Sequence, residues 1–356
     1  MSRFMSARHS SLDAYTPGEQ PRNRKYIKLN TNESPYPPSN GVVAAVAEAA
    51  RGLQLYSDPE CKQLTACVAE FYGVSPEQVL MTNGSDEILD FAFMAFGDEE
   101  HPFAAPEISY GFYPVFAQLN RVPYKPIPLK DDFSIDVSDY ENIGANIVIA
   151  NPNAPTGLCL TLSQIESIVA SNRQNVVVID EAYIDFGGES AIPLVNKYDN
   201  LLITRTFSKS YSLAGARLGI GIGCQSLIAD LNTIKYSTNP YNVNSMTMAA
   251  GIAAIGDSAY YRKNCDDIIS CRSYTKRRLQ SLGFAVTDSK ANFLFAAHPT
   301  VGGKELYLKL KEMGILIRHF DSVPISNYNR ITVGTREQMD ALIAAIELIM
   351  KEGNIK

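Results

Sequence analysis

Four short apolar runs, each closed by turn-forming or polar residues, constrain this chain more than anything else in it. They are NIVIA (146–150) before NPNAPTG, VVVID (176–180) before Glu181, LLITR (201–205), and LGIGI (218–222), the last two on either side of a Ser- and Gly-rich loop. Runs without a polar face suit strands covered on both sides, as in a mainly parallel sheet sandwiched between helices. Helix-like segments at 41–53, 59–72, 85–96 and 162–170 supply the cover. A short strand at 78–82 passes through Asn83-Gly84 directly into the helix at 85–96, a strand-turn-helix unit. The expected fold is α/β, and in such sheets ligand groups collect at the carboxyl ends of the strands.

Beyond Asn239-Pro240 the pattern changes. A long helix near 260–282, a strand at 292–296, a helix at 304–313, strands near Ile315 and Arg330 and a final helix fit a second, smaller α+β domain. The expected division is an N-terminal arm at 1–35, a large domain at 36–262 and a small domain at 263–356.

Composition excludes several classes. With 356 residues, 46% hydrophobic and 20% charged, the chain sits in the globular range. A net charge of −6 gives no broad basic field for nucleic acid. No stretch reaches the roughly 18 apolar residues of a membrane span. Six Cys without a CxxC pair suggest reduced thiols in a cytoplasm rather than a disulfide framework. His9, His101, His298 and His319 fit no metal spacing, so no metal is expected.

Two residues stand out for chemistry. Lys209, in TRTFSKSYSLAGARLG, lies among small and hydroxyl side chains; alone it reads as a solvated lysine, and its company carries the catalytic reading. Asp180 closes the VVVID run. It is either a turn acid or the partner of a protonated heterocycle, because a buried carboxylate is costly without a cation.

With the remaining motifs, the chain resembles the fold-type I aminotransferases that depend on pyridoxal 5'-phosphate, and among them the group acting on histidinol phosphate. The likeness runs through YTPGEQP (15–21), KLNTNESPYPPS (28–39), TNGSDEIL (82–89), SYGFYPV (109–115), NPNAPTG (151–157), DEAYIDF (180–186), TFSKSYSLAGARLG (206–219), ANFLF (291–295) and RITVGTRE (330–337). It implies that Lys209 forms the Schiff base with the cofactor and shuttles the proton, that Asp180 pairs with the pyridine nitrogen, and that Tyr183 donates to the ring oxygen. Tyr110 matches the ring that stacks on the pyridine. Gly84, Ser85 and Asp86 at a helix start, with Thr206, Ser208 and Arg217, match the phosphate cradle; Asp86 reads equally as a helix cap. Tyr56 matches a residue that reaches the phosphate of a neighbouring subunit's cofactor, which implies a homodimer with shared sites.

The motif departs at one position. Where the common form is NPNNPTG, with an amide on the ring oxygen, this chain has Ala154, and Asn153 is the neighbour expected to take over part of that task. On the substrate side the resemblance implies Arg330 as the clamp for an acidic group, Arg318 as a second arginine for a phosphate, and Tyr15 and Asn32 as further contacts. The implied reaction exchanges L-histidinol phosphate and 2-oxoglutarate for 3-(imidazol-4-yl)-2-oxopropyl phosphate and L-glutamate, in histidine biosynthesis. An aromatic amino-acid aminotransferase and a threonine-phosphate decarboxylase would reuse the same cofactor residues, and a non-catalytic cofactor-binding regulator is the remote alternative.

Overall fold

The structure is a computed structural model that describes residues 2–7, 9–21 and 24–353, with side chains to residue 351. Met1, Arg8, Arg22 and Asn23 of the arm and residues 354–356 lie outside the described residues. In chain order the elements begin with β1 (Ile27–Lys28), α1 (Asn40–Ala49), α2 (Lys62–Tyr72), β2 (Val79–Thr82), α3 (Ser85–Phe96), β3 (Phe103–Pro106), α4 (Tyr113–Asn120), β4 (Tyr124–Ile127) and β5 (Asn146–Ala150). They continue with α5 (Leu162–Ser171), β6 (Val177–Asp180), β7 (Leu201–Thr206), β8 (Gly219–Gly223), α6 (Gln225–Thr238), α7 (Ser245–Gly256) and α8 (Ser258–Ser281). The last third holds β9 (Ala285–Val286), β10 (Phe293–Ala297), α9 (Gly303–Glu312), β11 (Ile315–Leu316), β12 (Arg318–His319), β13 (Tyr328–Thr332) and α10 (Arg336–Gly353).

Seven strands form the central sheet in the order β2-β8-β7-β6-β5-β3-β4. All neighbours pair in parallel except β8, which runs antiparallel to both β2 and β7. The apolar runs have no polar face because both faces are covered. Ile147, Ile149, Val177, Ile179, Leu201 and Ile203 enter one core, whereas Val148, Ala150, Val178 and Leu202 enter the core on the opposite side. The mainly parallel helix-covered sheet expected from the sequence is therefore present.

The C-terminal part packs an antiparallel sheet, β12-β13-β10-β9, against α8, α9 and α10. β1 pairs in parallel with β11, so residues 27–28 of the arm join this unit, and Leu29 belongs to its core. α8 runs unbroken through residues 262 and 263.

Several local details differ from the sequence expectation. The helix expected from Pro59 begins at Lys62, because the Asp58 carboxylate accepts the N–H groups of Glu60 and Lys62 and Cys61 turns through φ 51°. α6 and α7 fill a stretch without an assigned element, and β3, α4 and β4 complete the sheet edge beyond β5. Among the described residues no helix is long and apolar enough to cross a membrane, and all six thiols are free.

Candidate active site

A cavity of about 700 Å³ opens where β5, β6 and β7 end, roofed by the arm and by the segment from Arg318 to Arg330. The loops that follow the carboxyl ends of these parallel strands converge on this cavity.

Asp180 is the last residue of β6 and only 5% exposed. Its Oδ2 accepts from the Tyr113 hydroxyl at 3.0 Å and its Oδ1 from the Ala182 N–H at 3.1 Å. Burial pushes its pKa up to about 6, against the lowering effect of those two donors. Among the described residues it forms no ion pair, so a carboxylate faces the cavity with its charge uncompensated. Tyr113 is fully buried.

Lys209 follows β7 by three residues, on the loop held by the Thr206 and Ser208 hydroxyls, 2.9 Å apart. Its Nζ donates to the Thr31 carbonyl at 3.3 Å and lies 5.7 Å from the centre of the Tyr183 ring. That loop is tied to the loop after β6 by a buried ion cluster. Arg205 donates to Glu181 at 3.1 Å and to Asp185, and Asp185 also accepts from the hydroxyl of Ser210, beside the lysine, at 2.5 Å. Burial opposes the guanidinium's charge, but Asp185 and Glu181 outweigh it and raise its pKa. The sequence reading missed this cluster; its signal was an arginine inside an otherwise apolar strand.

At the start of α3, Gly84 has φ 81°, and a β-carbon there would collide with the Arg217 guanidinium. Ser85, Thr206, Ser208 and Arg217 line the cavity together, and the first N–H groups of the helix point out of its end. Asp86 does not cap the helix. Its two oxygens accept from Tyr110 at 2.8 Å and Arg217 at 3.0 Å, so the acid orders the aromatic and the arginine. Burial and the Asp86 charge push the Tyr110 phenol upward.

The departure at Ala154 is not covered by Asn153. Ala154 lines the cavity, whereas the Asn153 amide donates to the Ile108 carbonyl at 2.9 Å and to Thr156 at 3.2 Å and accepts from Ser109 at 2.7 Å. Its hydrogen-bonding capacity is used in holding the turn. Asn32 lines the cavity, and its Nδ2 donates to the Tyr183 hydroxyl at 3.0 Å.

On the arm side, Arg330 projects from β13 between the rings of Phe293 and Phe320, with Nη2 on the Asn30 carbonyl at 3.2 Å and a buried Nε without an acceptor. Burial lowers its pKa from the usual value; a guanidinium stays cationic regardless. Arg318 makes long hydrogen bonds, 3.4 and 3.3 Å, to the carbonyls of Pro17 and Thr16, and lies 5.8 Å from the centre of the Phe320 ring. Tyr15 packs on Phe112 at 4.1 Å and lines the cavity. Tyr56 stands apart from it: it is 84% exposed and stacks on Tyr241 at 4.7 Å. His319 bonds Asn329 and stacks on Tyr307 instead of entering the cavity.

A lysine, an uncompensated buried acid, a helix start and two arginines with spare donors thus line one cavity. The chain belongs to the family described as aminotransferase class I and II, whose model matches residues 24–346. It is 50% identical over 353 residues to a histidinol-phosphate aminotransferase of Brachyspira hyodysenteriae, covering 99% of this chain and 100% of that protein. A protein of the same name from Chromohalobacter salexigens is 46% identical over 352 residues, again with 99% and 100% covered. Among solved structures, a putative histidinol-phosphate aminotransferase from Erwinia carotovora atroseptica superposes with a TM-score of 0.85 at 25% identity, covering 92% of this chain and 97% of that one.

The residues present fit pyridoxal 5'-phosphate. Asp180 lacks a cation that a protonated pyridine would supply, and the cradle offers hydroxyls, N–H groups and a guanidinium for a phosphate.

Proposed function

We propose that the chain is a pyridoxal 5'-phosphate-dependent aminotransferase. It exchanges L-histidinol phosphate and 2-oxoglutarate for 3-(imidazol-4-yl)-2-oxopropyl phosphate and L-glutamate, a step of histidine biosynthesis, and works as a cytoplasmic homodimer. The carrying observation is a single cavity that holds Lys209, the uncompensated Asp180 carboxylate and the Arg318/Arg330 pair. The full-length likeness to proteins named for this reaction supports the same substrate.

The cofactor, when bound, supplies an electron sink for the carbon that bears the amino group. The chain's residues do the rest. Asp180 holds the ring nitrogen in its protonated form by charge, and Tyr113 keeps the carboxylate aimed. Nζ of Lys209, which donates to the Thr31 carbonyl, would take and return the substrate's proton. The Tyr183 hydroxyl would donate a hydrogen bond to the ring oxygen, and Tyr110, ordered by Asp86, would cover the ring face. Gly84, Ser85, Thr206, Ser208 and Arg217 bind the phosphate, with Tyr56 of a second copy completing it. Arg330 clamps the carboxylate of glutamate or 2-oxoglutarate, and Arg318 receives the substrate phosphate, with Tyr15 closing the arm side. The same reading treats 1–35, 36–262 and 263–356 as arm, large and small units joined through α8.

The test is an assay of purified protein with histidinol phosphate, phenylalanine or threonine phosphate, each with 2-oxoglutarate. Glutamate should form fastest with histidinol phosphate. Preference for phenylalanine would make the chain an aromatic aminotransferase, and carbon dioxide released from threonine phosphate would make it a decarboxylase.

A further inference from the structure

Asn32 is buried, with a backbone at φ 56° that asparagine tolerates better than most residues. Every polar group it carries is engaged. Its N–H donates to Thr332 Oγ1 at 2.9 Å, its carbonyl accepts from the Asn292 amide at 2.9 Å, and its Oδ1 accepts from the Thr332 hydroxyl at 3.1 Å. Because the Asn32 N–H already donates to Thr332 Oγ1, that hydroxyl is free to donate to Oδ1. The Asn32 side chain then presents its NH₂ to Tyr183, whose oxygen accepts from it at 3.0 Å.

A phenol that accepts from an amide keeps its own proton for another acceptor. Tyr183 lines the cavity, and the wall at Ala154 carries only a methyl group. We propose that Asn32 is a positioning residue: its amide fixes Tyr183 as a hydrogen-bond donor into the pocket, in place of an amide from the Ala154 turn. Asn32 therefore acts on the ligand through Tyr183 and not as a substrate contact. The segment is well placed for this, because Arg330 contacts the Asn30 carbonyl, Lys209 contacts the Thr31 carbonyl, and Thr332 holds Asn32 from the strand that carries Arg330.

This inference rests on the cofactor reading above. A donor on the cofactor's ring oxygen stabilises its anionic form and weakens the hold on the neighbouring proton, so losing the donor raises the pH midpoint of the visible band. The experiment is a spectrophotometric pH titration of the cofactor-loaded protein for wild type, Asn32→Gly, Asn32→Asp, Tyr183→Phe and Asn32→Gly/Tyr183→Phe. Glycine accepts the positive φ, and aspartate keeps the Thr332 contact, so a folding defect in one variant leaves the other as a probe.

Asn32→Gly should raise the midpoint by about half to one pH unit, in the range expected for losing one hydrogen bond. Asn32→Asp turns the Tyr183 proton toward the new carboxylate and should match or exceed Tyr183→Phe. The double variant should equal Tyr183→Phe alone. An unchanged midpoint in Asn32→Gly and Asn32→Asp, or a shift that adds in full to that of Tyr183→Phe, overturns the proposal. A wild-type protein that binds no cofactor and shows no visible band overturns the cofactor reading itself, and this inference with it.

Discussion

Asp180 shows most directly how one side chain links stability to function. Its pKa in the fold is about 6 against an ordinary 3.8, so below about pH 4 the carboxyl is neutral in folded and unfolded chains alike, and its burial is tolerated. As pH rises through 6 the fold must retain an ionised group, and stability is lost. Asp180→Asn removes that titration. Without cofactor, the variant should be more stable than the wild type above pH 6, by up to about 3 kcal/mol, with the difference fading toward pH 4. Urea titrations across that range check it; parallel pH profiles would refute the cause. Lys209→Ala should leave a folded protein that no longer develops the visible band with pyridoxal phosphate, and a yellow, active variant would displace the lysine from its role. At this scale the sequence was legible wherever a residue's type is rare in its setting, as for Lys209 in a hydroxyl-rich loop. It was not legible where the role depends on a partner far along the chain. The Asn32 contact to Tyr183 spans 151 residues and the Tyr113 contact to Asp180 spans 67, and neither leaves a local pattern.

Among elements, the loops after β6 and β7 matter most, since one carries the acid and the other the lysine. The Arg205, Glu181 and Asp185 cluster locks them at a fixed offset. Replacing the guanidinium strands two acids, one of them fully buried, and such a loss typically costs about 3–5 kcal/mol. Arg205→Met should lower the denaturant midpoint accordingly and loosen cofactor retention; an unchanged midpoint would show that the cluster is not holding the loops. The buried strands were readable because covered faces demand uninterrupted apolar runs. α6 and α7 were not, since QSLIADLNTIKYST mixes polar residues through its length and SMTMAAGIAAIG is apolar on every side. Strand β4, with lysine and proline at an exposed sheet edge, likewise lacks the signature of its buried neighbours.

For the whole molecule, Leu53, Leu55, Tyr56 and Tyr241 are exposed apolar side chains outside the cavity lining, with Tyr56 stacked on Tyr241. In the proposed homodimer this face meets a second copy, and sedimentation should report twice the 39.1 kDa chain mass. Tyr56→Phe should keep that mass while weakening cofactor binding roughly 3- to 10-fold in an equilibrium titration, as expected for a lost hydrogen bond to a charged phosphate. No change in affinity would remove Tyr56 from the shared site. The fold class was legible at this scale, but the union of the arm with the small sheet was not, because a two-residue strand carries no periodicity.

That union also bears on folding. Asn32 finds Thr332 across 300 residues, so the cavity gains its roof only when two distant stretches of the chain meet. Contacts of such long sequence separation form late in folding, because loop closure is costly before they reward it, so the roof is the part of the cavity expected to assemble last.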